Sequence, residues 1–400
     1  LEPARHPNIG HDAPRPQSPY TIVAADTDVT NVEGVNVSTF VTTGGDLRLP
    51  PGGALTPGMA IGIRTRAWLL DERRVASVAG NRLYLDKPTT YDLKAGWGFY
   101  LTGALWMLDT PGESHFDSAT SSYYIWTPDG NPPGDRFAVA FGEVGIDVSH
   151  QSHVVIERIG IRRVSVGVRF AKGHNITVRG MRVVDATNEG IDASGSTAST
   201  VQDSTIIRTG RDGIAGLDRD PWRMADGLRV IGNYVAEAGV RLVGGKIVSV
   251  PLRSHAAIHP GTRAYVYGNR VVNAGFNGIW ARAGSTIDLN YVRNACMVLD
   301  DCAGIYLGDS KDAIVKRNLV YQAPGAIDGK PELQRYTQAQ GIFLDDHMTG
   351  AVVSGNTVIG ADHGIQIHNA FNNRIEGNTL YGNRKYQLLL QEDSKKLRTG

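Results

Sequence analysis

From about residue 140 to 390 the apolar positions fall in runs of three to five, rich in Val and Ile and divided by polar turns. Short β-branched runs suit strands, and no segment here keeps a helical period. A Gly followed by Ile or Val punctuates the runs at Gly167, Gly190, Gly213, Gly239, Gly278, Gly304, Gly341 and Gly364. The spacings are 23, 23, 26, 39, 26, 37 and 23 residues. A second ladder runs beside it, at Asn233, Asn269, Asn290, Asn318, Asn356 and Asn378. One such coil cannot bury its own apolar face, but a stack of them makes a continuous core. Asn at a repeated turn tolerates left-handed backbone, and turns piled on one another predict an amide ladder.

A 23-residue coil with three short strands resembles the right-handed parallel β-helix, over Val144 to Leu390. The expected fold class is therefore all-β: a right-handed parallel β-helix of stacked three-strand coils with an N-terminal β-rich module. The first 140 residues break the period. "MAIGIRTRAWLLDERRVASVAGNRLYLDKPTTY" alternates like antiparallel strands with a turn at "AGN", which predicts a half-exposed sheet. Ala104–Gly130 predicts aromatic-rich strands paired across a turn. The division expected is residues 1–135 as a module packed on the helix and 136–400 as the helix, with the boundary in "TPDGNPPGD".

Composition narrows the function classes. Net charge is +1, which argues against a nucleic-acid binder driven by phosphate neutralisation. No apolar run approaches the roughly 20 residues that span a bilayer. Leu1–Gly10 is polar and does not read as a signal peptide. The expectation is a mature or trimmed form of a secreted or periplasmic protein. Glycine accounts for 48 of 400 residues, well above the usual share of about 7%, which fits a chain of many tight turns. No P-loop, dinucleotide fingerprint or zinc spacing is present.

Departures from a regular period mark candidate sites. The coil from Gly239 to Gly278 is 16 residues longer than the base period, and the coil from Gly304 to Gly341 is 14 longer. Long loops on a rigid scaffold often carry function. Two acidic clusters accompany them: Asp300-Asp301 with Asp309, and Asp345-Asp346 with His347. By register Asp309 and Asp346 are equivalent positions one coil apart, about 4.8 Å, and Asp301 lies at the other end of its strand, roughly 10–15 Å away. Grouped carboxylates suit glycosidic-bond hydrolysis, in which one protonates the leaving oxygen and another activates water or attacks. Asp is also common at turns, where its side chain caps local amides, so each of these residues has a structural reading as well.

A resemblance then enters. "ARHPN", "LDTPGES-FD" and "YYIWTPDG" resemble a pattern of bacterial carbohydrate-active β-helix proteins of the pectin-lyase-like superfamily, with Ser114 where a Trp is usual. The fragments "DDCAGIY" and "GIFLDDH" are similar to paired coils of β-helix glycoside hydrolases. The first resemblance implies a carbohydrate-active enzyme without fixing lyase, hydrolase or epimerase. With the second, the expectation is a glycoside hydrolase acting on a poly- or oligosaccharide. No cofactor or metal is expected, save calcium if the enzyme is a lyase. The second resemblance points to Asp301, Asp345 and Asp346, with Asp309 and Asp300 in support. The Asn-Thr-Asp, Gly-His-Gly and Arg-Ile-Lys motifs of pectin hydrolases are absent.

Rival readings remain open at this level. The loop "KIVSVPLRSHAAIHPGTR" offers Lys246, Arg253, His255 and His259 to a substrate. A lyase or epimerase acting on a uronate needs such a cation and a base, and calcium held by Asp can supply the charge. A tailspike-like or binding scaffold would use the same coil without catalysis, but the charged tail "QEDSKKLRTG" lacks a trimer-forming element. Trp280 and Trp222 are candidate sugar platforms, with His347 beside the second acidic pair. Tyr306 and Phe343, stack-mates of Trp280 by register, read as an internal aromatic stack. Cys296 and Cys302, six apart, either close a disulfide around the first aspartates or remain buried thiols.

Overall fold

The computed structural model describes residues 2–7, 20–45, 47–217, 223–243, 246–249 and 256–393. Three long parallel sheets dominate: one of ten strands from Val144–Asp147 to Tyr386–Gln391, and two of nine. The second runs from Val155–Glu157 to Arg374–Glu376 and the third from Gly160–Arg162 to Thr379–Tyr381. Each coil contributes one strand to each sheet, and every strand pairs in parallel with its counterpart in the next coil.

The register explains the repeated residues. In the ten-stranded sheet Ile191, Ile214, Ile258, Ile279, Ile305, Ile342 and Ile365 stack directly over one another in the core. The preceding glycine is required by space: a Cβ on Gly278 would sit 2.5 Å from the Gly304 carbonyl and 2.5 Å from the Val292 side chain. The asparagines form the amide ladder. Asn233 donates to Asn269 (3.0 Å), Asn269 to Asn290 (2.9 Å), Asn290 to Asn318 (3.0 Å), Asn318 to Asn356 (2.9 Å) and Asn356 to Asn378 (2.9 Å). Each buried amide also donates to a carbonyl of the preceding coil, as Asn290 does to Val266, so both of its hydrogens are met.

Two compact units emerge. One comprises Leu1–Ala138 together with Leu242–Ser249 and Ile327–Tyr336; the other is the remainder, the stack of coils. The division is therefore not the contiguous one expected at residue 135, because each enlarged coil sends a segment into the first unit. Within that unit Gly98 donates to the Gly329 carbonyl (2.9 Å), and Arg64 donates to the Asp328 carbonyl. Its main sheet is antiparallel: Ala60–Arg66 pairs with Leu69–Ala79, which turns at Gly80-Asn81 into Arg82–Leu85. Ile61, Ile63, Leu83, Phe99 and Leu101 form its core. Glu113–Asp117 and Ser122–Ile125 make the aromatic hairpin. Glu113 explains "DTPGE" as a turn: its carboxylate accepts the backbone N–H of Asp109 and of Thr110, both at 3.2 Å. Burial pushes that carboxyl up to about 7. No helix among the described residues is long and apolar enough to cross a membrane.

Candidate active site

With the isoleucines turned inward, the residue after each one faces out. On the ten-stranded sheet this gives a column that reads Arg169, Asp192, Ala215, His259, Trp280, Tyr306, Phe343 and Gln366. Tyr306 and Phe343 do stack, but on this outer face rather than inside, because Ile305 and Ile342 occupy the interior. His259 and Trp280 lie face to face at 4.8 Å, Trp280 meets Tyr306 edge-on at 5.1 Å, and Tyr306 meets Phe343 edge-on at 5.5 Å. Trp280 is half-buried within this ladder, and the Arg282 guanidinium sits over its ring at 4.7 Å.

Two residues further along each strand a second outer column reads Arg282, Gly308, Asp345 and His368. Gly308 leaves room for the Tyr306 ring, since a Cβ there would stand 2.6 Å from the phenol oxygen. Tyr306 lies across that gap and donates its hydroxyl to Asp345 Oδ2 at 2.8 Å. His368 Nδ1 holds the other oxygen of Asp345 at 2.7 Å. Asn369 donates to Asp346 Oδ1 (2.7 Å) and lies 3.2 Å from His368 Nε2. An amide hydrogen offered to Nε2 leaves the proton on Nδ1, so His368 donates to Asp345.

Electrostatics tie the first acidic cluster to the second. Burial raises the Tyr306 phenol far above its usual range; the Asp345 charge and hydrogen bond add to this, Asp301 adds further, and Arg282 opposes it. Asp301 and Asp345 therefore act on one phenol from two coils. Asp301 takes a left-handed backbone (φ 56°), which Asp tolerates, and its N–H donates to the Gln338 carbonyl at 2.7 Å. Burial also lowers the Arg282 guanidinium, with Tyr306 and Asp309 opposing.

The remaining expected residues fall as follows. Asp300 is fully buried and accepts the Gln338 N–H at 2.7 Å, a brace for the loop that presents Asp301. Asp309 has the expected register, its N–H donating to the Asp346 carbonyl at 2.7 Å. Its carboxylate turns instead to His347 Nδ1 at 2.9 Å, with both side chains largely exposed. Lys246 begins the short strand Lys246–Ser249 in the first unit. Arg253, His255 and Trp222 lie outside the described residues. Cys296 and Cys302 form a disulfide with Cα atoms 5.9 Å apart, so the buried-thiol alternative does not hold. His368, Asn369 and Arg282 were not singled out by the sequence. Register alone identifies two of them, since each follows its core isoleucine by three, as Asp345 does.

Asp345, Asp346 and His368 each offer a ligand atom within 4.8 Å of the others, a spacing that can hold a metal ion. Calcium prefers roughly six to eight oxygens, and a set with one imidazole suits it poorly. Both His368 nitrogens already face protein partners, so the trio reads first as a hydrogen-bond network.

Residues 253–398 match the family described as a right handed beta helix region. A solved structure described as a glycoside hydrolase superposes with a TM-score of 0.63 and 15% identity, covering 90% of this chain and 76% of that one. The stack of coils is a right-handed parallel β-helix. The mannuronan C-5 epimerase AlgE6 A-module of Azotobacter vinelandii (TM-score 0.38, 13% identity, 60% of this chain and 65% of that one) is too distant to inform the site. So is an alginate lyase of Paenibacillus sp. str. FPU-7 (0.35, 16%, 64% and 76%). No protein of curated function matches the sequence.

Proposed function

We propose that this protein is a carbohydrate-active enzyme that hydrolyses a glycosidic bond of a poly- or oligosaccharide on the outer face of its ten-stranded sheet. The observation that carries the reading is the meeting of Asp345 and Asp346 with Tyr306 and His368 beside an aromatic ladder, with the Asp301 charge acting on the same phenol. Hydrolysis needs one carboxyl to protonate the leaving oxygen and a second to activate water or attack the sugar. Asp346 and Asp301 are the reacting pair. Asp345, with both oxygens engaged by Tyr306 and His368, is a positioning residue. The match in fold to a glycoside hydrolase supports the scaffold and leaves the chemistry to these residues. The Cys296–Cys302 disulfide supports a secreted or periplasmic location.

The test is incubation with a panel of neutral and uronic polysaccharides, assayed for new reducing ends. Asp346→Asn and Asp301→Asn should each abolish the activity of the wild type. Retained activity in both would remove the assignment.

The His368–Asp345–Tyr306 chain favours one alternative. An imidazole and a phenol joined through a carboxylate suit proton abstraction beside a uronate carboxylate, with Arg282 neutralising that charge. A lyase product is unsaturated and absorbs in the ultraviolet. An epimerase inverts a centre without a new reducing end. The same incubation therefore separates all three outcomes.

A further inference from the structure

The third sheet carries an array that this chemistry does not use. Its interior column contains Val235, Val271, Val292 and Val320, so the flanking positions face out. In successive coils one outer row presents Tyr234, Arg270 and Tyr291, and the adjacent row presents Arg293, Tyr321 and, two coils on, Tyr381. The Arg270 guanidinium lies over the Tyr234 ring at 6.0 Å and the Tyr291 ring at 5.3 Å; Arg293 lies over Tyr321 at 5.6 Å. Both arginines are exposed, and Tyr381 is 72% exposed. Several other arginines on the coils meet carboxylates, as Arg208 meets Asp185 and Arg317 meets Asp288. Among the described residues Arg270 and Arg293 have no carboxylate partner.

We propose that this face binds an anionic polysaccharide running along the helix axis, with sugar rings on the tyrosines and carboxylate or sulfate groups on Arg270 and Arg293. Successive strands are about 4.8 Å apart, close to the length of one sugar residue in an extended chain, so each coil meets one residue. Stacking on tyrosine fixes each guanidinium plane while leaving its N–H edge for an anion. The cations without acidic partners favour a charged glycan over a neutral one. Two arginines on a chain of net charge +1 are too few for phosphate-driven polynucleotide binding. The surface goes beyond the hydrolase reading: it lies on a different sheet and needs no bond cleavage. Its role is to hold the polymer to the enzyme.

Native electrophoresis of the full chain through gels containing polygalacturonate, alginate, hyaluronan or chondroitin sulfate tests this, with carboxyl-reduced polygalacturonate as the neutral control. At least one acidic polymer should retard the protein, and the neutral control should not. The apparent Kd should rise about tenfold in the double variant Arg270→Gln/Arg293→Gln and again in Tyr291→Ala/Tyr321→Ala. If the tyrosine variant melts early, the arginine variant decides alone. Asp346→Asn should bind like the wild type, so loss of catalysis and loss of binding are read separately. No retardation by any of the four polymers, equal retardation by the neutral one, tighter binding to single-stranded DNA, or unchanged binding in the arginine variant would each overturn the proposal.

Discussion

The outer face of the ten-stranded sheet carries charge at both ends, and the two ends settle it differently. Toward the start, Arg169 pairs with Asp192 at 3.1 Å, and in the loops that lead into the strands Arg211 pairs with Glu189 at 3.4 Å, each across one coil. Ser194 closes the Asp192 carboxylate at 2.6 Å. Toward the end, Asp345 and Asp346 meet a phenol, an imidazole and an amide instead. The lattice is the same, so stacking alone brings carboxylates close in both places. Partner chemistry makes the difference. An arginine locks a carboxylate into a half-exposed ion pair of modest worth, whereas Tyr306 and His368 engage the two oxygens of Asp345 by hydrogen bonds.

The largest effect should test that contrast directly. Asp346→Asn and Asp301→Asn should each lower kcat by about 10²–10⁴, while Asp192→Asn should leave it within about twofold. An equal loss at Asp192 would break the distinction. Stability should instead be uniform along the stack. Asn233→Leu takes the acceptor from the buried Ser204 N–H, Asn290→Leu takes it from the Asn269 N–H, and each should cost about 1–3 kcal/mol in denaturant unfolding. A clearly larger cost at one would mean that the two ends differ in frame as well as in partners. Tyr306→Phe removes one hydrogen bond from Asp345 and should lower kcat about tenfold, with a shifted pH–rate profile. An unchanged profile would make Tyr306 a packing residue.

The smallest effect concerns Glu189, whose carboxyl burial raises, with Arg211 opposing and Asp212 and Asp192 adding to the rise. A raised native pKa means that the folded state holds its proton longer than the unfolded chain. Its contribution is present below the ordinary carboxylate range and is lost as pH rises through the raised value. Glu189→Gln should flatten that part of the Tm–pH curve, and an identical curve would place Glu189 outside it.

Much of the frame is legible in the sequence because it repeats. The Gly-Ile punctuation reports a glycine with no room for a Cβ, except at Gly239, whose place in the column is taken by Ala257-Ile258. The asparagine ladder reports an amide shared between its copies and the backbone of the neighbouring coil. The equivalence of Asp309 and Asp346 also follows from counting along each strand. Rotamer and face are harder. Asp309 shares the register of Asp346 yet turns to His347, since a side chain at a left-handed turn (φ 44°) can leave its column. Tyr306 was legible as a stack-mate, but its bond to Asp345 depends on Gly308 having no side chain. His368 sits in "GIQIHNA", which resembles no motif, and only its offset from Ile365 connects it to Asp345. The disulfide depends on backbone proximity, which six residues of spacing permit without dictating.

The discontinuity of the first unit has a consequence for protein engineering. Leu242–Ser249 and Ile327–Tyr336 are separated from Ala138 by long stretches of coil, yet belong to the same unit. Lys330, nearly inaccessible, donates to the Tyr336 carbonyl at 2.8 Å, within one of these segments. A fragment ending at Ala138 would lack both excursions, and removal of residues 1–138 would leave both without the rest of their unit. The chain crosses between the units five times, after Ala138, Arg241, Ser249, Ala326 and Tyr336, so grafting or shuffling the module requires five joints rather than one.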